Sequence, residues 1–262
     1  MMNRRQILKF AGGIAGTVIL EGCAPRNLVE RVGYLESQLR LAEQREENID
    51  RIYYELPNHV YTLDSLVKIK EGGEEFERYV RGVVIDRKIY TVAHLLRVDF
   101  ITRVIAQNGA GFKIKGTFMP TILSQEVFLK EKKLEAVVID FDRDVAVFNL
   151  PENLILPDFP AKPNPNLKLG QEVYLIGNPG DIGVNIRHGR ISDLDGYKGG
   201  RINRDSIFGV DISIFAGDSG SPIVNSNFEL VGLCSYMFSI GKLDYSSQLS
   251  YGIKIGEFLK YS

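Results

Sequence analysis

Cysteine, histidine and long apolar runs are scarce in this chain of 262 residues, and each scarcity removes a class of function. The two cysteines, Cys23 and Cys234, belong to no Cys/His cluster with metal-ligand spacing. No metal is therefore expected, cofactor-free chemistry is, and the two cysteines have no reason to pair. Only His59, His94 and His188 can serve as an imidazole base. Lysine and arginine are scattered, the formal net charge is −1, and no basic stripe is interleaved with aromatics, so a nucleic-acid partner is not expected. The apolar run at 10–20 falls short of the about 20 residues that span a bilayer as a helix. The length leaves room for one or two domains with a sizeable core.

What is present centres on Gly217-Asp218-Ser219-Gly220-Ser221-Pro222. Glycine costs stability inside helices and strands, so a serine between glycines marks a tight turn. There the N–H groups of Gly217 and Ser219 can converge on a point where negative charge develops. A serine nucleophile also needs a base, and the base an acid to orient it. His94 ends the apolar strand Ile89-Tyr90-Thr91-Val92-Ala93, while Asp140, Asp142 and Asp144 precede the apolar stretch Val145-Ala146-Val147-Phe148. On the residues alone, any of the three carboxylates can be that acid. Taken singly, His94 reads as a satisfied core histidine, His188 as a loop residue beside a Gly189 turn, and Cys234 as a small core side chain.

Thr91-Val92-Ala93-His94, Asp144-Val145-Ala146-Val147 and Gly217-Asp218-Ser219-Gly220-Ser221-Pro222, in the order His, Asp, Ser, resemble the chymotrypsin-fold (trypsin-like) serine peptidases. Leu175-Ile176-Gly177-Asn178-Pro179, Gly189-Arg190-Ile191-Ser192 and the closing Tyr251-Gly252-Ile253-Lys254-Ile255 resemble the HtrA/Deg-type branch. The similarity spans roughly 66–255. An α/β-hydrolase would run Ser, Asp, His and carry Gly-x-Ser-x-Gly, where this chain has Ser221. The resemblance implies an all-β chain with two six-stranded antiparallel barrels, preceded by a helix, and a serine endopeptidase acting on proteins or peptides. It selects Asp144 by the Asp-x-Ala pattern, with Asp142 as the fallback, and so implies the catalytic set His94, Asp144 and Ser219. The backbone of Gly217, Asp218 and Ser219 would form the oxyanion hole. It further implies Ser213 at the base of the primary specificity pocket and Ser235, Tyr236 and Met237 on its wall. A polar floor without a carboxylate favours small or medium apolar side chains over Lys or Arg. Asp218 replaces the branch's usual asparagine, and the chain start lies far upstream, so an internal partner is expected: Arg81, Arg187 or backbone N–H groups. The branch usually carries a PDZ domain after the peptidase, which is not expected here, since the chain ends soon after Ile255.

Along the chain, Arg4-Arg5-Gln6-Ile7-Leu8-Lys9 and the apolar run after it resemble a twin-arginine export signal over 1–22. Leu20-Glu21-Gly22-Cys23 resembles a lipobox, with Glu21 where a small or apolar residue is usual; it implies lipidation of Cys23, the alternative being an uncleaved signal anchor. Either way an exported protein held at the outer face of a bacterial-type membrane is expected. Over 27–54, Leu28, Val32, Leu35, Leu39, Ala42, Glu46, Ile49 and Tyr53 recur at spacings of four and three. That predicts a helix of roughly 40 Å at about 1.5 Å per residue, either a self-associating stalk within 23–57 or an amphipathic helix packed on the body. Strands are expected at 66–69, 82–85, 88–93, 101–106, 112–118, 136–139 and 145–150 for a first barrel within 58–150. Five of the ten prolines fall at 151–165 and predict a linker over 151–166 that joins no sheet. Strands at 172–176, 185–192, 207–213, 222–225, 230–236 and 250–255 then supply a second barrel within 167–262, where 15 of the 26 glycines suit tight corners. The insertion 108–133 reads either as a control on access or as a longer hairpin. Two rival functions use the same fold: a non-catalytic binding or scaffold protein, and an esterase or acyltransferase.

Overall fold

The computed structural model describes residues 26–69, 75–97, 101–107, 113–118, 121–195, 202–240 and 247–262, with backbone alone at 26–29, 101–107, 113–118, 181, 236–240 and 247–249. Two compact units divide between Asp50 and Arg51. The first is most of a single helix, α1 (Arg26–Tyr54), whose last turn belongs to the second unit. Tyr34, Leu35 and Leu41 are exposed on it. In the second unit, Ile52 of that last turn is fully buried, Tyr53 packs edge-on against Tyr174, and Arg51 lies 3.7 Å over the Phe228 ring. Among the described residues no helix is long and apolar enough to cross a membrane.

The rest is mostly strand. The first sheet runs β7 (Lys132–Lys133), β6 (Ile122–Leu129), β1 (Tyr61–Ile69), β2 (Glu75–Ile85), β3 (Lys88–Val92), β9 (Val145–Asn149) and β8 (Glu135–Asp140), all antiparallel. It curls into a half-barrel. β1 alternates, burying Leu63, Ser65, Val67 and Ile69. The central β3 buries four residues in a row because both of its faces are covered. Two-residue turns at Asp86-Arg87 and Lys130-Glu131, every residue at positive φ, close the hairpins β2–β3 and β6–β7. That backbone matches strand twist, and none of the four residues is the glycine or asparagine that usually marks it. Among the described residues, β4 (Ile101–Gln107) and β5 (Lys113–Phe118) pair only with each other.

The second sheet closes into a six-stranded barrel: β15 (Glu229–Ile240), β14 (Pro222–Asn225), β11 (Glu172–Gly177), β12 (Asn185–Asp193), β13 (Ile207–Val210) and β16 (Ser247–Lys254), with β16 returning to β15. Val173, Leu175, Ile191, Phe208, Val210, Ile223 and Val231 fill it. The Phe208 ring sits where a Cβ on Gly232 or Gly252 would be, 2.6 and 2.8 Å from ring carbons, so these two strand glycines make room for one aromatic. The chain ends in a turn of helix, α2 (Ile255–Phe258), whose buried Phe258 meets Tyr90 edge-on across 6.1 Å. Arg143 clamps that turn by holding Glu257 at 3.2 Å.

The expected all-β architecture after a helix is observed, as one closed six-stranded barrel and a half-barrel, and one local expectation is corrected. The proline-rich segment does join a sheet: β10 (Lys162–Pro163) runs parallel to β15 at its outer edge. An edge position leaves one side of the strand unpaired, which is where proline's missing N–H costs nothing. The 108–133 insertion supplies β6, which pairs with β1 as an integral strand and with β7 as a hairpin. The rest of that insertion lies partly outside the described residues.

Candidate active site

β3 ends at Val92, and the chain turns at once into a single 3₁₀ turn, Ala93–Leu96, that carries His94. β3 pairs with β9 in the register Val92↔Val145, which sets Asp144, the residue before β9, beside that turn. Asp144 takes the left-handed conformation, φ 58, a strained choice for a residue with a Cβ. Its buried carboxylate is fully used. Oδ1 accepts the His94 N–H at 2.7 Å, and Oδ2 accepts both the His94 ring Nδ1–H at 2.8 Å and the Ser235 hydroxyl at 2.5 Å. An ionised carboxylate only accepts, so the imidazole proton sits on Nδ1 and Nε2 is left with its lone pair. That nitrogen lies 2.9 Å from Ser219 Oγ.

Asp142 is exposed in the turn ahead of β9 and Asp140 is tied to Arg143 at 2.6 Å, so neither reaches His94. Burial pushes the Asp140 carboxyl up, but the side-chain bond, charge and N–H of Arg143 and the N–H of Asp142 together outweigh it and hold the group below the ordinary value.

Ser219 is delivered by the turn after residue 214. Its carbonyl accepts the Arg81 N–H at 2.7 Å, joining the second barrel to β2 of the first. Gly220, at φ +80, lies so close to the Arg81 carbonyl and Thr91 Oγ1 that no Cβ fits there. The Ala216 carbonyl is turned toward the Gly180 N–H, 2.8 Å away. In a trans peptide the N–H points opposite to the carbonyl, so the Gly217 N–H is aimed away from Gly180. The Asp218 N–H is bonded to the Phe215 carbonyl at 3.1 Å, which removes Asp218 from the expected set of oxyanion donors. Among the described residues, the Gly217 and Ser219 N–H groups donate to no protein acceptor.

Beneath this turn lies an ion pair. The Asp218 side chain is fully buried; Arg187 Nη2 meets its Oδ1 at 2.5 Å and the Phe215 N–H meets its Oδ2 at 2.7 Å. Arg187 also donates from Nη1 to the Ser213 carbonyl at 2.8 Å and lies 5.5 Å from the Phe215 ring centre. Gly177 completes the arrangement, because a Cβ there would overlap both charged groups. The expected internal partner of Asp218 is thus Arg187; Arg81 bonds Thr62 instead.

The remaining expected residues separate. Ser213 is exposed beside this turn. The Ser235 side chain is buried and directed at Asp144, so it is no pocket wall; its carbonyl lies 3.2 Å from Ser219 Oγ. The side chains of Tyr236 and Met237 lie outside the described residues, as does Cys23. His188 is not in a loop: it is on β12, stacked on Tyr174 at 4.9 Å and bonded to Glu172. Cys234 is a free, fully buried thiol that burial, with the Asp218 carboxylate second, pushes well above its ordinary range, so it stays protonated and inert. The Ser235–Asp144 bond is the contact that the sequence does not announce; a small residue at the end of an apolar run is the only signal.

A family model described as a trypsin-like peptidase domain matches residues 81–233. Protease Do-like 1, chloroplastic, of Arabidopsis thaliana is 32% identical over 111 residues, 40% of this chain and 25% of that protein. A probable periplasmic serine endoprotease DegP-like of Buchnera aphidicola is 34% identical over 103 residues, 38% of this chain and 22% of its own length. The chain therefore spans about a quarter of these relatives. Among solved structures, an HtrA-type protease AlgW with tripeptide superposes with a TM-score of 0.53 at 18% identity, over 81% of this chain and 61% of that one. At that identity the likeness speaks for the fold alone.

Proposed function

Because the chain belongs to the trypsin-like peptidase family, we propose that it is a serine endopeptidase that hydrolyses peptide bonds within proteins, with His94, Asp144 and Ser219 as its catalytic set. The observation that carries this reading is the unbroken line from Asp144 Oδ2 through the His94 ring to Ser219 Oγ, at 2.8 and 2.9 Å. Ser219 attacks the scissile carbonyl while His94 Nε2 takes its proton. The oxygen, now negative, is held by the Gly217 and Ser219 N–H groups, and His94 returns the proton to the leaving amine. Water then repeats the sequence on the acyl-enzyme. Asp144 keeps the imidazole in the working tautomer and offsets its charge; Ser235 supports Asp144.

Ser213, exposed beside the Ser219 turn, is assigned to the primary specificity pocket by its place in the sequence, and with no carboxylate there the preferred side chain before the cut is small or medium and apolar. Purified protein incubated with an unfolded, unrelated protein should release internal peptides whose new C-termini carry such residues. Intact substrate after long incubation contradicts the peptidase reading, and cuts confined to Lys and Arg contradict the pocket assignment.

The same reading places the enzyme in the HtrA/Deg-type branch, outside the cytoplasm and tethered through Cys23. This draws on the twin-arginine-like and lipobox-like residues at 4–23 and on a relative named as periplasmic. The exposed Tyr34, Leu35 and Leu41 of α1 favour self-association of that helix as a stalk. Wild-type protein should partition into detergent and sediment as an oligomer. Cys23→Ala should move to the aqueous phase, and a monomeric mass would contradict the stalk.

A further inference from the structure

The turn that carries His94 is gripped by side chains from three strands, none of which the peptidase reading uses. The last carbonyls of a short helix have no partner within it; the His94 carbonyl also accepts the Arg97 N–H at 3.1 Å, which closes the turn. Here four successive carbonyls are each met by a side-chain donor. Arg78 Nη1 donates to the His94 carbonyl at 2.9 Å and to the Arg97 carbonyl at 2.5 Å. Ser65 Oγ donates to the Leu95 carbonyl at 2.9 Å, and Gln125 Nε2 to the Leu96 carbonyl at 2.8 Å. The register accounts for the convergence. β1 lies between β2 and β6, with Ser65 opposite Arg78 on one side and Val67 opposite Gln125 on the other. Residues opposite one another, and residues two apart on one strand, share a face of the sheet. Arg78, Ser65 and Gln125 therefore form a diagonal row beneath a single turn.

We propose that Arg78, Ser65 and Gln125 are positioning residues that fix the His94 imidazole between Asp144 and Ser219. The inference rests on the reading of His94 as the base. Two of the four bonds come from a guanidinium, and charge-assisted bonds are shorter and stronger than neutral ones. A peptide held through its carbonyl resists rotation; the bond on the His94 carbonyl holds the peptide that leaves His94, and the bonds on the next three carbonyls fix the turn that this peptide enters. Asp144 by itself constrains only the ring's Nδ1 end and the turn's first two N–H groups, since it takes the His94 N–H and, through its own carbonyl, the Ala93 N–H at 3.1 Å. The three donors hold the opposite, carbonyl end. Gln125 also gives β6, within the insertion, a direct bond to the catalytic turn.

Arg78→Met should lower kcat between roughly tenfold and a hundredfold, the scale of a displacement of about 1 Å in a catalytic group. KM should stay within about twofold, because no substrate contact is removed. Arg78→Lys, which keeps one donor, should regain most of the loss. Gln125→Leu should show a smaller fall with the same split, and it carries the test if Arg78→Met does not accumulate as folded protein. In both variants the far-downfield proton resonance of the imidazole Nδ1–H should broaden, which a merely structural role would not produce. Wild-type kcat in folded Arg78→Met and Gln125→Leu overturns the proposal, as does a loss wholly in KM or a lysine that restores nothing. His94→Ala separates the two layers: if it is inactive while Arg78→Met turns over normally, only the positioning role fails; if it turns over normally, the base assignment fails first.

Discussion

Ser219→Ala should leave a folded protein whose peptide hydrolysis is lower by about 10⁴-fold or more. Removing one member of such a set in other serine peptidases leaves only about 10³–10⁴-fold catalysis over water, supplied by binding and the oxyanion hole. Among the described residues, no side chain near Ser219 can take over as nucleophile. Ser221 is fully buried with its N–H bonded to the Asp218 carbonyl, Ser235 is committed to Asp144, and the Cys234 thiol is protonated. Asp144→Asn should lose about 10⁴-fold in kcat with little change in structure. Every group that faces the Asp144 carboxylate is a donor: the His94 N–H, the ring Nδ1–H and the Ser235 hydroxyl. An amide brings its own NH₂ into that set. The bond to the ring survives if the imidazole moves its proton to Nε2, and an Nε2–H cannot accept from Ser219. Progress curves on an unfolded protein substrate, with unfolding midpoints as the control, check both variants; either one within tenfold of wild type would contradict the assignment.

The second large effect belongs to Arg187. Arg187→Met should cost about 3–5 kcal/mol of stability, because removing one partner strands a fully buried carboxylate at Asp218. It should also lower kcat by about 10²-fold or more. The Phe215–Ser219 turn is shaped by Asp218 from below and by the Gly180 N–H on the Ala216 carbonyl; without the first, the Gly217 N–H loses its aim, and one oxyanion donor is worth about 10²–10³-fold. The double variant R187M/D218N should recover most of the stability, since the amide can still accept from the Phe215 N–H while carrying no charge. Urea titration of the three proteins measures the first effect and kcat the second. Equal stability of Arg187→Met and wild type would show that Asp218 is neutralised in another way.

How much of this was legible in the sequence follows from which interactions are local. The Ser219 turn announces itself because glycine is needed where φ is positive at Gly217 and Gly220. His94 is legible because β3 is a short apolar run with a histidine two residues beyond its end, whereas Asp144, one of three carboxylates ahead of β9, is singled out only by the resemblance. What was not legible is pairing at a distance. Hairpin β6–β7 turns on Lys130-Glu131, two charged residues at positive φ, with no turn signature to betray it. The strand at 162–163 was hidden by proline, which an edge position tolerates. Arg187 stood among three candidate partners for Asp218, and only the β11–β12 register, which sets it opposite Leu175, brings it beneath the turn. The resemblance puts Ser235 on a pocket wall, whereas its side chain faces Asp144: position along a strand does not fix which of two faces a bulge leaves outward, and β15 shifts register between Cys234 and Tyr236.

The central claim is that Ser219 is made nucleophilic by His94. Intact-mass measurement after exposure to a serine-directed fluorophosphonate tests it most directly, because the reagent needs an activated hydroxyl but no particular substrate. The account predicts one adduct per chain in wild type, mapped to Ser219, none in Ser219→Ala, and labelling slowed by orders of magnitude in His94→Ala. An unlabelled wild type, or an adduct that persists in Ser219→Ala, would contradict it.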